Sequence, residues 1–85
     1  MEFDEQLMSA ARLSIIASLI DGAALSFTEL KQQTGLADGN LHVQSRKLSN
    51  NGYIEILKDT RGSRPVTRFR LTELGREALR LQGQW

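Results

Sequence analysis

Two stretches of this sequence carry side chains suited to recognition chemistry. Gly39-Asn40-Leu41-His42-Val43-Gln44-Ser45-Arg46-Lys47 sets amides, a guanidinium, an ammonium and a branched apolar group close together. An amide can pair with the adenine edge, a guanidinium can bind guanine through two hydrogen bonds, and a valine methyl can meet the thymine methyl. Gly39 would let another molecule approach the backbone closely. Lys58-Asp59-Thr60-Arg61-Gly62-Ser63-Arg64-Pro65 gathers three cations around a slim Gly62-Ser63 step, which brings Arg61 and Arg64 to a phosphate or a groove with no obvious acidic partner nearby. The competing reading is plain solvation. Exposed helix faces are polar whatever they do, His42 fits better as a surface histidine at the flank than as a specific reader, and Lys58 fits equally well as a solvated strand end. Arg68 and Arg70 stay open between a polyanion and cross-strand pairs with Glu55.

The inventory excludes most other chemistry. One histidine and no cysteine leave no thiolate nucleophile, and His42 by itself cannot hold a metal. There is no phosphate-cradling glycine loop and no pair of carboxylates placed for acid–base work, so no enzyme, metal or cofactor is expected. Eleven Lys and Arg against ten Asp and Glu give a net charge of only +1. The charges are nevertheless segregated: residues 1–39 carry a balance of −4, residues 40–70 a balance of +5, and residues 71–85 cancel. One contiguous third of the chain is basic, as a footprint for a polyanion requires.

Those residues must be positioned by a small fold. Eighty-five residues, 40% hydrophobic and 25% charged, fit one globular domain spanning 1–85. The longest uncharged run, Leu13 to Ile20, is too short for a bilayer, and the acidic start Met1-Glu2-Phe3-Asp4-Glu5 is no secretory signal, so a cytoplasmic protein without membrane contact is expected. A core this small is marginal alone, which makes association with a second copy a natural way of completing it.

The spacing predicts a first helix from Glu5 to Asp21 with two apolar rows: Leu13, Ile16, Ala17 and Ile20 toward the core, and Met8, Ala11, Ile15 and Leu19 toward a partner subunit or the last helix. Ser26-Phe27-Thr28-Glu29 has the spacing of a capping box and opens a short helix that ends at Gly35. Asp38 is placed to cap a third helix with Leu41, Ser45 and Leu48 inward, ending at Asn50-Asn51-Gly52. Alternation then predicts a hairpin: Tyr53 to Lys58, the basic tip, and Val66 to Leu71, with Phe69 and Leu71 on one face. Thr72 caps a last helix on which Leu74, Ala78, Leu81 and Trp85 recur at helical spacing, as core or dimer interface.

Helix, short helix, turn, helix, basic hairpin, helix is the order of a winged helix-turn-helix, an α+β fold that is mainly helical. The segments Phe27-Thr28-Glu29-Leu30, Gly35-Leu36-Ala37-Asp38-Gly39-Asn40-Leu41, Arg46-Lys47-Leu48 and Gly62-Ser63-Arg64-Pro65 through Leu71-Thr72-Glu73-Leu74-Gly75 resemble the small winged-helix transcriptional regulators of the multiple-antibiotic-resistance (MarR) and arsenical-resistance (ArsR) types. The resemblance implies double-stranded DNA as partner and a homodimer held by the first and last helices, near residues 5–21 and 72–82. It also implies a third helix in the major groove, a wing along the backbone or minor groove, and repression of transcription. Gly39, Asn40, Val43, Gln44, Arg46 and Lys47 would then face the groove, and Lys58, Arg61, Ser63 and Arg64 the flanking DNA. Two departures stand out. Gln44-Ser45 replaces the His-Leu pair usual in the third helix, and the missing cysteines remove the thiolate sensing site of many arsenical-type members. The long helical arms that shape an effector pocket in full-length antibiotic-resistance-type regulators are not expected here, so a small-molecule effector is unsupported. A winged helix serving only as a protein-interaction module is the alternative, and a double-stranded RNA binder a weaker one.

Overall fold

The computed structural model describes residues 9–82. In chain order it contains α1 (Ala10–Ser18), β1 (Leu25–Ser26), α2 (Phe27–Thr34), α3 (Asp38–Asn50), β2 (Ile54–Asp59), β3 (Val66–Leu71) and α4 (Glu73–Gln82). The three strands form one antiparallel sheet in the order β1-β3-β2.

Local chemistry accounts for most of the boundaries. At α2 the capping box forms as its spacing predicts: Glu29 N–H donates to Ser26 Oγ (3.1 Å) and Ser26 N–H to Glu29 Oε1 (2.8 Å). The helix stops where Gly35 turns to φ 72° and its N–H closes on the Lys31 carbonyl. Gly52, at φ 82°, makes the corresponding turn between α3 and β2. Thr72 caps α4: its hydroxyl accepts the Gly75 N–H (3.0 Å) and donates to the Gly52 carbonyl (2.6 Å), tying this helix to the turn before β2.

Two expectations are corrected and one strand is added. The first helix is shorter than Glu5 to Asp21, because Ser9 is extended and its Oγ accepts the Arg12 N–H, while Leu19 leaves helical geometry at the other end. Asp38 is the first residue of α3 rather than its cap; its carboxylate is turned to Lys31 Nζ at 2.6 Å, and Ala37 takes the cap position without a side-chain bond. The strand β1 was not foreseen. Two residues cannot display a period, and Leu25 and Ser26 become a strand only because Phe69 and Arg68 of β3 lie opposite them.

The core is made by Ile15, Ile16 and Leu19 of the α1 segment with Leu30, Leu41, Leu48, Ile54, Phe69, Leu71 and Ala78. Both rows of the first helix therefore reach the core. Ile15 and Leu19, expected toward a partner subunit or the last helix, are fully enclosed within the chain beside Ile16 of the expected core row, whereas Ala17 and Ile20 of that row are exposed. The reason is that α1 is the hub, packed on α2, α3 and α4 at once. On α4 the face toward the core is Gly75, Ala78 and Leu79, which leaves Leu74 and Leu81 beside it, 55% and 38% exposed. Ala11 is half-buried; Met8 and Trp85, the remaining residues of the expected interface, lie outside the described residues.

Candidate nucleic-acid interface

Leu41, Ser45 and Leu48 seat α3 against the core, each nearly or fully buried, and Ser45 spends its hydroxyl proton on the His42 carbonyl of its own helix (3.2 Å). At 100° per residue this sends Gly39, Val43, Arg46 and Asn50 outward, with Asn40 and Lys47 on one flank and His42 on the other. All seven are exposed, and Val43, a large apolar residue, keeps half of its surface open to solvent. A Cβ on Gly39 would meet nothing within 4 Å among the described residues, so no contact there requires glycine.

Gln44 departs from its expected place. It stands on the half-buried edge of α3, its Nε2 donates to Asn40 Oδ1 (3.1 Å), and its Oε1 is enclosed. The cause is angular. Three residues after Leu41 and four before Leu48, Gln44 turns toward the core side rather than away from it. Asn40 is thus the exposed amide of the pair, held by Gln44 behind it.

The hairpin pairs Ile54 with Leu71, Glu55 with Arg70, Ile56 with Phe69, and Lys58 with Thr67. Phe69 and Leu71 point into the core as the alternation predicts, while Ile56 lies on the same face but farther out and is 38% exposed. Ile56, Thr67 and Phe69 from the hairpin meet His42, Ser45 and Arg46 of α3 around a cleft of about 220 Å³, which places Arg46 beside the root of the hairpin. Phe27 contacts His42 edge-on and Phe69 at a tilt, both at 6.3 Å between ring centres, so α2, α3 and the sheet share one aromatic seam.

The charges at the tip are not all free. Arg61 was expected without an acidic partner, yet its Nε and Nη2 hold the Asp59 carboxylate at 2.9 Å each, and its backbone N–H adds a third bond at 3.1 Å. Asp59 and Arg61 are two residues apart, so a tight turn suffices to bring them together. Arg70 pairs with Glu55 across the strands, through Nε at 2.7 Å. Arg68 does not share that partner; it turns to Asp59 and Glu29. Arg46, Lys47, Lys58 and Arg64 make no ion pair among the described residues, and Ser63 sits exposed beside Arg64. Cations without ion-pair partners among the described residues, on α3, at the end of β2 and on the loop tip, are what a row of phosphates would engage.

The profile of the winged helix DNA-binding domain family matches residues 11–83. This chain belongs to that family. An uncharacterized protein of Methanocaldococcus jannaschii is 33% identical to it over 72 residues, covering 85% of this chain and 78% of the relative. Among solved structures, a transcriptional regulator homologue from Pyrococcus horikoshii OT3 superposes with a TM-score of 0.82 at 29% identity, over 93% of this chain and 79% of that one. The transcriptional repressor BigR from Xylella fastidiosa gives 0.75 at 27% identity, over 91% and 71% of the two chains. MarR from E. coli in its apo form gives 0.73 at 26% identity, over 94% and 64%. The winged helix of MarR-type transcriptional regulators is therefore the architecture that the sequence resemblance implied.

Within this winged helix the acidic residues matter as much as the cations. Hydrogen bonds from Arg61, and then from Arg68, hold the Asp59 carboxyl well below the usual carboxylate range. The backbone N–H of Ser26 lowers the Glu29 carboxyl from its usual value, with Arg68 adding a smaller attraction. The sequence places Glu29 as a capping residue and Asp59 only among the turn residues, without its arginine partners. Its signal was present in the Asp-x-Arg spacing, a familiar turn arrangement at the start of a hairpin loop.

Proposed function

We propose that this winged helix is a homodimeric regulator of transcription that binds duplex DNA sequence-specifically. Each subunit lays α3 in a major groove and the β2–β3 tip, its wing, on the flanking backbone. The observation that carries the reading is the outward face of α3, where Val43 and Arg46 stand exposed beside the root of a hairpin whose tip carries Arg64, neither arginine having an ion-pair partner among the described residues. Lys47, Lys58 and Arg64 would supply phosphate contacts, with Arg61 joining when a phosphate displaces Asp59. Asn40, Val43 and Arg46 would supply base preference, and Gln44 would act through Asn40. Two-fold symmetry then calls for half-sites roughly 34–36 Å apart. Repression is favoured because a bound dimer blocks polymerase without any further surface, and because one structural neighbour, BigR, is a repressor.

The test is fluorescence anisotropy of a labelled mixed-sequence duplex titrated with the protein at two salt concentrations. A dimer making ~6–10 phosphate contacts is expected to lose on the order of 10³–10⁵ in affinity between 50 and 200 mM salt. Absence of binding at low salt would transfer the assignment to a protein-interaction module.

The homodimer reading rests on α4 and the end of the first helical segment. Leu74, Leu81 and Ile20 keep 55%, 38% and 46% of their surface exposed, apolar surface that a second copy of the chain would cover. Leu81→Glu is expected to give a folded monomer in sedimentation equilibrium, because the residue lies beside the core rather than in it. A parent chain that sediments as a monomer, or a Leu81→Glu chain that remains dimeric, refutes this interface.

A further inference from the structure

The distal half of the hairpin has a weak attachment. β1 pairs with β3 only at Leu25↔Phe69 and Ser26↔Arg68, so beyond Arg68 the strand β3 is bonded to β2 alone. Everything that carries Lys58, Arg61 and Arg64 projects past that line. A two-stranded ribbon without a third strand is barely stable by itself; past this line Thr67 borders the cleft with α3, and the opposite face swings unless something holds it.

At the line stands Arg68. It occupies the face of β3 opposite Phe69, and its side chain is 29% exposed. Its Nε donates to Asp59 Oδ2 at 2.9 Å, at the end of β2. Its Nη1 donates to the Ala24 carbonyl at 3.3 Å, just before β1, and lies 3.5 Å from Glu29 Oε1. That same Glu29 oxygen accepts the Ser26 N–H that closes the capping box of α2. Asp59, 14% exposed, binds Arg61 at the tip through both carboxylate oxygens. One guanidinium thus joins the hairpin, the chain entering β1 and the first turn of α2. A planar fork with several fixed donors can span these acceptors; an ammonium at the end of a flexible stem cannot hold the same set.

We propose that Arg68 is a positioning residue that clamps the wing to the helix-turn-helix, so that α3 and the wing meet DNA as one preorganised surface. The inference rests on the DNA-binding reading above. Arg68 itself need not touch DNA: its contribution is the ordering of the tip before binding, which would otherwise be lost from the binding free energy.

Two substitutions and two readouts test it. Arg68→Met keeps the stem over the sheet and removes the donors; Arg68→Lys keeps the charge and removes the fork. Hydrogen exchange without DNA is expected to be about five-fold faster in Arg68→Met at the amides of residues 57–59 and 66–67, with the α1 and α3 amides unchanged. Duplex affinity is expected to fall about tenfold in Arg68→Met, and Arg68→Lys to recover little of it. Adding Arg64→Ala should cost less in the Arg68→Met background than in the parent, because a swinging tip has already lost part of what Arg64 contributes. Unchanged exchange at the tip overturns the clamp whatever DNA does. Weaker binding with unchanged exchange makes Arg68 a direct DNA contact, and full recovery by Arg68→Lys reduces it to a general cation. Should the parent bind no duplex, the DNA reading fails and takes the positioning role with it, while the exchange comparison still decides whether the clamp exists.

Discussion

Gly75→Ala is expected to unfold this protein or come close to it, with a loss of at least about 3 kcal/mol and a fall of about 12–24 °C in Tm. Gly75 is buried in the first turn of α4, where the helix crosses the start of β2. A Cβ there would sit 2.0 Å from the Tyr53 carbonyl oxygen, 2.9 Å from its carbon and 2.7 Å from Leu71 Cδ1. The first two neighbours are backbone and have little freedom to retreat. The Tyr53 carbonyl accepts the Thr72 N–H at 3.1 Å, and the adjacent Gly52 carbonyl accepts the Thr72 hydroxyl at 2.6 Å, so moving it breaks the bonds that start α4. Typical stability for a chain of this length is only ~4–13 kcal/mol, which leaves little reserve. Gly62→Ala is the control: its Cβ would meet only the Arg64 carbonyl, at 3.9 Å, and Tm should move by no more than about 2–4 °C. Thermal melting of the two variants beside the parent checks both values. A Gly75→Ala chain that melts within a few degrees of the parent would mean that α4 does not seat on the Gly52–Tyr53 backbone in solution.

The second large effect concerns binding rather than stability. Arg46→Ala and Arg64→Ala are each expected to weaken duplex binding by about 1–3 kcal/mol, roughly 5- to 150-fold. Tm should stay within a few degrees, since both side chains are exposed and unpaired among the described residues. The two losses should differ in kind. Arg46 stands on the α3 face toward base edges, so its loss should relax preference at one position of a selected site. Arg64 is at the wing tip, so its loss should weaken all duplexes alike and reduce the salt slope by about 1. Arg61→Ala should cost less than Arg64→Ala, because Asp59 already occupies that guanidinium and a phosphate must displace it. Anisotropy titrations on one selected and one unrelated duplex separate these outcomes. Parent-like binding by both Arg46→Ala and Arg64→Ala would mean that the face assigned to DNA is the wrong one.

Much of this fold was legible because its signals are local. The capping box at Ser26 and Glu29, the turn at Gly35, the inward triplet Leu41, Ser45 and Leu48, the alternation through Phe69 and Leu71, and the Thr72 cap each depend on residues within one turn or one strand of each other. Each appears in the fold where the spacing put it. The family resemblance was legible for the same reason, since it consists of those segments in that order.

What the sequence could not determine was which of two plausible partners each surface finds. The period of the first helix defines two apolar rows about the axis but not what covers them; the chain's own α2, α3 and α4 enclose Ile15 and Leu19 and leave Ile20 in solvent. Arg68 and Arg70 alternate with equal right toward Glu55, and the register decides, giving Glu55 to Arg70 and leaving Arg68 to Asp59 and to Glu29, thirty-nine residues away in the chain. Gln44 is the exception: it has the side chain of a base reader, but its inward turn follows from the helical period itself, three residues after Leu41 and four before Leu48. A short-range pattern is written in the sequence because neighbours along the chain cannot avoid one another. Contacts between distant residues exist only once packing has chosen among the surfaces those patterns offer, and in this protein that choice set both the free cations and the clamp behind them.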